Sequence, residues 1–207
     1  MLLYLKTVKP LQVKLIPPRT SITAGKRIDF KCETSGSRPR ARISWFKGSN
    51  KLTEVLETHS SDSNITISTV TFIPEVDDNG RHLSCQADNP VIPASGLEEG
   101  IRLHVNFAPQ VSLSLGSSIN AKSIIESSDV YIECHIKSNP SAYEVTWLFE
   151  GEPIFSDRSK GVIIANQTLV LQRINRTSRG HYQCLARNEI ALSKSNPLFL
   201  RVQCEYI

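Results

Sequence analysis

Two stretches of this chain carry the same frame, a tryptophan set between two cysteines. Trp45 follows Cys32 by 13 residues, and Trp147 follows Cys134 by 13. The partner cysteines, Cys85 and Cys184, come 40 and 37 residues after those tryptophans. The frames are displaced by 102 residues and use both of the tryptophans and four of the five cysteines. No cysteine pair forms C-x-x-C and no histidine stands at zinc-finger spacing, so a disulfide in each repeat is the expected chemistry and a metal site is not. A bond between residues so far apart, packed on a buried indole, staples two sheets face to face.

A half-buried strand points alternate residues inward, and the two repeats do so in step. Ile28, Phe30 and Cys32 share a face, as Val130, Ile132 and Cys134 do. Ile43 and Trp45 answer to Val145 and Trp147, and Val70 and Phe72 to Leu169 and Leu171. Leu83, Cys85 and Ala87 answer to Tyr182, Cys184 and Ala186, and the last strands read Ile101, Leu103, Val105 and Leu198, Leu200, Val202. No helix-period stretch competes. The expected fold is all-β: two tandem immunoglobulin-like β-sandwich domains of C2 or I type, residues 9–106 and 107–204. Neither repeat shows the extra C′–C″ pair of a variable-type domain.

Trp45 and Trp147 are core residues in this reading, and so is Tyr182. Two residues before Cys184, Tyr182 holds the tyrosine-corner position, where the hydroxyl bonds backbone at the E–F turn. Ser178 stands there where Asp is usual. The first repeat has Asp78-Asn79-Gly80, but Leu83 replaces the tyrosine, so that corner lacks the bond. Pro17-Pro18 fits a kinked first edge strand. The joint Asn106-Phe107-Ala108-Pro109 is short and carries a proline, and is expected to restrict the hinge.

Disulfides persist in oxidising compartments, which points to an extracellular chain. Three sequons agree: Asn64-Ile-Thr66, Asn166-Gln-Thr168 and Asn175-Arg-Thr177. Cys204 is left without a partner in the frame. The apolar run after Met1 is shorter than a secretory signal core, no lipid-anchor tail follows Cys204, and the chain reads as a piece of a longer one.

The remaining classes fall away on composition. Of 207 residues, 40% are hydrophobic and 21% charged, which is ordinary for a folding chain. No apolar run approaches the roughly 20 residues of a membrane helix. A net charge of +4, with no recognition motif, does not suggest nucleic acid. There is no phosphate-cradling glycine loop, no H-E-x-x-H, no G-x-S-x-G and no nucleophile beside a base. His59, His82, His104, His135 and His181 are scattered, the last two on outward strand positions. Neither an enzyme, a cofactor nor a small-molecule substrate is expected. One surface feature is basic: Arg38, Arg40 and Arg42, followed by Lys47 and Lys51. With Ile43 and Trp45 inward, Arg40 and Arg42 point outward, available to a protein partner or a sulfated glycan.

The run Thr34-Ser-Gly-Ser-Arg-Pro-Arg-Ala-Arg-Ile-Ser-Trp-Phe-Lys-Gly48, with Asp77-Asp-Asn-Gly80 and Cys85-Gln-Ala-Asp-Asn-Pro90, resembles the second immunoglobulin domain of the Sidestep family of arthropod cell-surface proteins. Asp129-Val-Tyr-Ile-Glu-Cys134, Ser138-Asn-Pro140 and Asn166-Gln-Thr-Leu-Val-Leu-Gln172 resemble its third. The resemblance implies a fragment of a membrane-anchored, receptor-like ectodomain in cell–cell recognition, notably axon guidance, with partners of the Beaten-path type. It also implies that recognition is centred on a variable-type domain preceding these two. The alternative is a secreted matrix or immune protein that binds sulfated glycans through the basic strand face.

Overall fold

The computed structural model describes residues 7–59, 65–117, 119 and 124–203. The chain divides into two compact units, Met1–Asn106 and Phe107–Ile207. The first holds β1 (Gln12–Ile16), β2 (Ile22–Thr23), β3 (Ile28–Ser35), β4 (Arg42–Lys47), β5 (Asn50–Leu52), β6 (Val55–His59), β7 (Ile65–Phe72), β8 (His82–Asp88) and β9 (Leu97–Arg102). β10 (Val105–Leu115) begins in the first unit and continues in the second. There follow β11 (Val130–Asn139), β12 (Glu144–Phe149), β13 (Glu152–Ile154), β14 (Val162–Ala165), β15 (Thr168–Leu171), β16 (Gly180–Arg187), β17 (Leu192–Lys194) and β18 (Leu198–Leu200).

In the first unit one antiparallel sheet has the order β1–β3–β7–β6 and the other β5–β4–β8–β9. Ile22 and Thr23 of β2 pair in parallel with Val105 and Asn106. Pro17-Pro18, lacking N–H groups, falls where β1 ends and the chain shifts to β2. The alternation read from sequence is the burial pattern: Phe30, Cys32, Ile43, Trp45, Val70, Leu83, Cys85 and Ala87 are all buried in one cluster. Leu103 lies in the gap between β9 and β10, yet is also buried.

The second unit repeats the plan, with β14–β15–β11–β10 facing β13–β12–β16. Its last strand is broken. Pro197 cannot donate a ladder bond, so β17 and β18 pair separately with β16. Between them Ser195 supplies a side-chain oxygen instead, accepting the Cys184 N–H at 3.0 Å. Ile132, Cys134, Trp147, Leu169, Tyr182, Cys184 and Leu200 fill the core. In each unit a disulfide joins the facing sheets, Cys32 to Cys85 and Cys134 to Cys184, with Cα atoms 6.4 Å apart in both. The sheet that holds the tryptophan gains a short fourth strand, β5 or β13, and no further strand follows it among the described residues.

Candidate functional site

The basic feature sits where the first unit's β4 enters its sheet. Arg38, Arg40, Arg42 and Lys51 are exposed. Lys47 is not part of that surface, which corrects its place in the sequence reading. It shares strand parity with Ile43 and Trp45, so its side chain turns inward. Its Nζ lies 2.7 Å from Oδ2 of Asp78, a carboxylate 3% exposed, and 5.3 Å from the centre of the Phe72 ring. Arg81 adds a second cation, 3.7 Å from Asp78 Oδ1. Lys47 therefore neutralises a buried acid.

The remaining face is mixed in charge. Arg42 stands opposite Asp88 across the β4–β8 ladder, Ser44 opposite Gln86, and Gln86 in turn opposite Glu98 of β9. Phe46, half-buried, shares this outward parity and pairs with Lys51 of β5. Beyond the edge of β5 a groove of about 470 Å³ is lined by Lys51 and Arg27, but also by Glu54 and Phe72. Alternating cations, acids and amides suit a partner that itself offers both signs, rather than a uniformly anionic polymer.

The histidines act locally. His135 Nε2 meets Ser114 Oγ at 2.8 Å, with Glu133 at 3.8 Å. His181 packs on Phe199, and its backbone N–H donates to Glu150 at 2.7 Å, which holds the Glu150 carboxyl below the usual range. Both side chains are exposed, as strand parity requires. Among the described residues no group of His, Cys, Asp or Glu is arranged to hold a metal, and no helix is long and apolar enough to cross a membrane. Asn166 and Asn175 are exposed on the second unit. Asn64 and Cys204 lie outside the described residues.

The turns from β7 into β8 and from β15 into β16 differ in chemistry. The Tyr182 hydroxyl donates to the Ser178 carbonyl at 2.9 Å, and its ring packs on Phe149 at 4.8 Å. Burial pushes the phenol above the ordinary tyrosine range, and the Glu150 charge adds to the shift. In the first unit Leu83 is fully buried at the matching place, and Asp78 holds the turn by accepting from the Glu75 N–H and from Lys47.

Two residues that organise the opposite end of each sandwich were missed in the sequence. Asn89, 3% exposed, donates from Nδ2 to the carbonyls of Val8 and Arg38 and to Ser37 Oγ, at 2.8, 2.9 and 3.0 Å. Asn188, also 3% exposed, donates to the carbonyls of Phe107 and Pro140, at 2.8 and 3.0 Å. Each amide ties a loop with a cis-proline (Arg38-Pro39 after β3, Asn139-Pro140 at the end of β11) to the chain entering the sandwich, at Val8 ahead of β1 or at Phe107 of β10. A signal was present: both asparagines follow the second cysteine of their frame by four residues.

Comparison with known proteins fits this geometry. Residues 109–188 match the model of the immunoglobulin domain, and residues 13–91 that of the CD80-like C2-set immunoglobulin domain. Cell adhesion molecule 2 of Xenopus tropicalis is 25% identical over 84% of this chain and 40% of its own length. Human cell adhesion molecule 1 is 24% identical over 88% and 42%. The irregular chiasm C-roughest protein of Drosophila melanogaster is 26% identical over 74% and 24%. The chain thus spans less than half the length of these relatives. Among solved structures, the ectodomain of mouse nectin-like molecule 4 superposes with a TM-score of 0.73, at 20% identity, over 96% of this chain and 65% of that one. Two disulfide-stapled sandwiches, matched in turn by two immunoglobulin-domain models, make this chain a member of the immunoglobulin superfamily.

Proposed function

We propose that the chain is part of the extracellular region of a membrane-anchored adhesion protein and that it contributes to binding another immunoglobulin-superfamily protein through protein contacts alone. The observation that carries this reading is the mixed-charge outer face of β5–β4–β8–β9, with Arg42 opposite Asp88 and Gln86 opposite Glu98. The adhesion molecules among its relatives support the same role. The motifs from Thr34 to Gly48 and from Asp129 to Gln172 support the Sidestep family within it, a Beaten-path type partner and a part in axon guidance.

The test is a binding screen with the secreted chain displayed as a multimer, since avidity raises weak contacts into range. Targets are a panel of immunoglobulin ectodomains, Beaten-path types included, and heparin. Retained binding to an ectodomain at physiological salt is the expected result. Binding to heparin alone, lost between low and physiological salt and abolished in Arg40→Ser/Arg42→Ser, would overturn it in favour of a sulfated-glycan binder. The exposure of Arg38, Arg40, Arg42 and Lys51 favours that second reading. Silence on every target, from folded and disulfide-bonded protein, would make these two domains a spacer.

A further inference from the structure

The second unit carries two sequons at the two ends of one short strand. Asn166 occupies the tight turn between β14 and β15, with φ of +51°. Asparagine enters that left-handed region more readily than most side-chain-bearing residues. Asn175 follows β15 and caps the 3-10 turn Arg176–Ser178. Its Oδ1 accepts from the Thr177 N–H at 2.8 Å and from Thr177 Oγ1 at 2.6 Å. Both asparagines are exposed, and among the described residues neither Nδ2 enters a hydrogen bond.

We propose that Asn166 and Asn175 each carry an N-linked oligosaccharide. Transfer joins Nδ2 to the anomeric carbon of the first sugar and breaks that carbon's bond to the pyrophosphate of a lipid-linked oligosaccharide. The pyrophosphate oxygen keeps the electron pair, and one amide proton is released. The chemistry consumes only Nδ2. At Asn175 the oxygen that caps the turn survives, so sugar and cap coexist on one side chain. At Asn166 the side chain is exposed on the turn between β14 and β15. β14 is the edge strand of β14–β15–β11–β10, so the Asn166 sugar stands at the end of an edge that is otherwise open to strand pairing. The opposite sheet, β13–β12–β16 with β17 and β18, carries no sequon.

The test uses the full chain secreted from eukaryotic cells, in an Asn64→Gln background that removes the third sequon. Digestion with peptide N-glycosidase in heavy-oxygen water converts each glycosylated asparagine into labelled aspartate. The expected result is two labelled sites, at 166 and 175, and a loss of two oligosaccharide masses. Asn166→Asp and Asn175→Asp each remove one. Both substitutions spare the fold: Asp tolerates the left-handed turn and caps as well as Asn does. Thr177→Ser keeps hydroxyl, cap and sequon, and is expected to keep the sugar. An unlabelled asparagine at either position, in secreted and disulfide-bonded protein, overturns the assignment there.

Discussion

The two domains solve one packing problem with different chemistry. Where β7 turns into β8, the first domain buries a carboxylate, Asp78, under Lys47 and leaves Leu83 in the core. In the second, the place of Lys47 is taken by Phe149, which pairs with Tyr182 as Lys47 pairs with Leu83. Ser178 takes the place of Asp78, and the turn is held by a phenol hydroxyl on a carbonyl. A residue set changes together: cation with acid, or aromatic with aromatic. A single member transplanted from one domain to the other has no partner there. The frame dictates that the corner be filled and closed, and leaves the means open.

The largest effect should be the same in both domains. The disulfides span 53 and 50 residues, so on the chain-entropy model each restricts the unfolded chain by about 4 kcal/mol. Replacing Cys32 and Cys85 by alanine, or Cys134 and Cys184, is expected to cost its own domain that much, a large share of the stability of a small domain. Hydrogen exchange read by mass spectrometry on the intact chain separates the two domains. Markedly unequal losses would show that the sandwiches differ in more than their corners.

The next effect should fall on one side only. Asp78→Ala strands the Lys47 ammonium, whose side chain is 17% exposed, and removes the acceptor of the Glu75 N–H. Breaking a buried pair in this way costs about 3 kcal/mol, so exchange in the first domain should accelerate by about a hundredfold and the second should be unmoved. Ser178→Asp sharpens the contrast. With Phe149 where the cation would be, the new carboxylate should destabilise the second domain. A stabilised variant would mean that the acid closes the corner without its lysine.

What was legible in the sequence is what repeats with a fixed period. The cysteine and tryptophan spacing, the inward alternation and the place of Tyr182 follow from strand geometry, and the structure has them. Lys47 was misplaced because it was counted with its charged neighbours, although its parity with Trp45 already turned it inward. Asn89 and Asn188 repeat at the same offset, but their acceptors are carbonyls of loops with no sequence pattern of their own. A buried amide serving backbone groups leaves no mark beyond its own position. The mixed charge of the outer sheet face was hidden for a related reason, since the register that sets Arg42 against Asp88 joins residues far apart in the chain.

The tryptophans give a third comparison. Trp45 Nε1 donates to Ser68 Oγ at 2.9 Å, both groups buried. Trp147 Nε1 is buried with no partner among the described residues. The cause is strand length. β7 runs from Ile65 and sets Ser68 opposite Cys32, whereas β15 begins only at Thr168, and Cys134 meets the carbonyl of Gln167, whose side chain is exposed. Ser68→Ala puts the first domain in the condition of the second. Orphaning a buried N–H is expected to cost about 2 kcal/mol, read as faster exchange in the first domain alone. An unchanged rate would show that an indole N–H in this core is cheap to leave unpaired.

The smallest effect at neutral pH is the one that changes most with conditions. Tyr182→Phe removes one hydrogen bond to the carbonyl of Ser178, a half-buried residue, so the loss should be about 1 kcal/mol. The folded phenol holds its proton above the unfolded value of 10.0, because ionising it would bury a charge beside Glu150. Below that value folded and unfolded states are both protonated, and the hydroxyl contributes in full. Above it the unfolded state binds fewer protons than the folded one, so stability falls as pH rises. Phenylalanine has no proton to lose. Denaturation of the second domain at about pH 8 and about pH 11 should therefore show the gap between wild type and variant closing, while the other ionisable groups cancel in the difference. The first domain, with Leu83 in that place, should show no such component. A gap that stays constant would mean that the phenol reaches water in the folded domain and ionises there as it does in the unfolded chain.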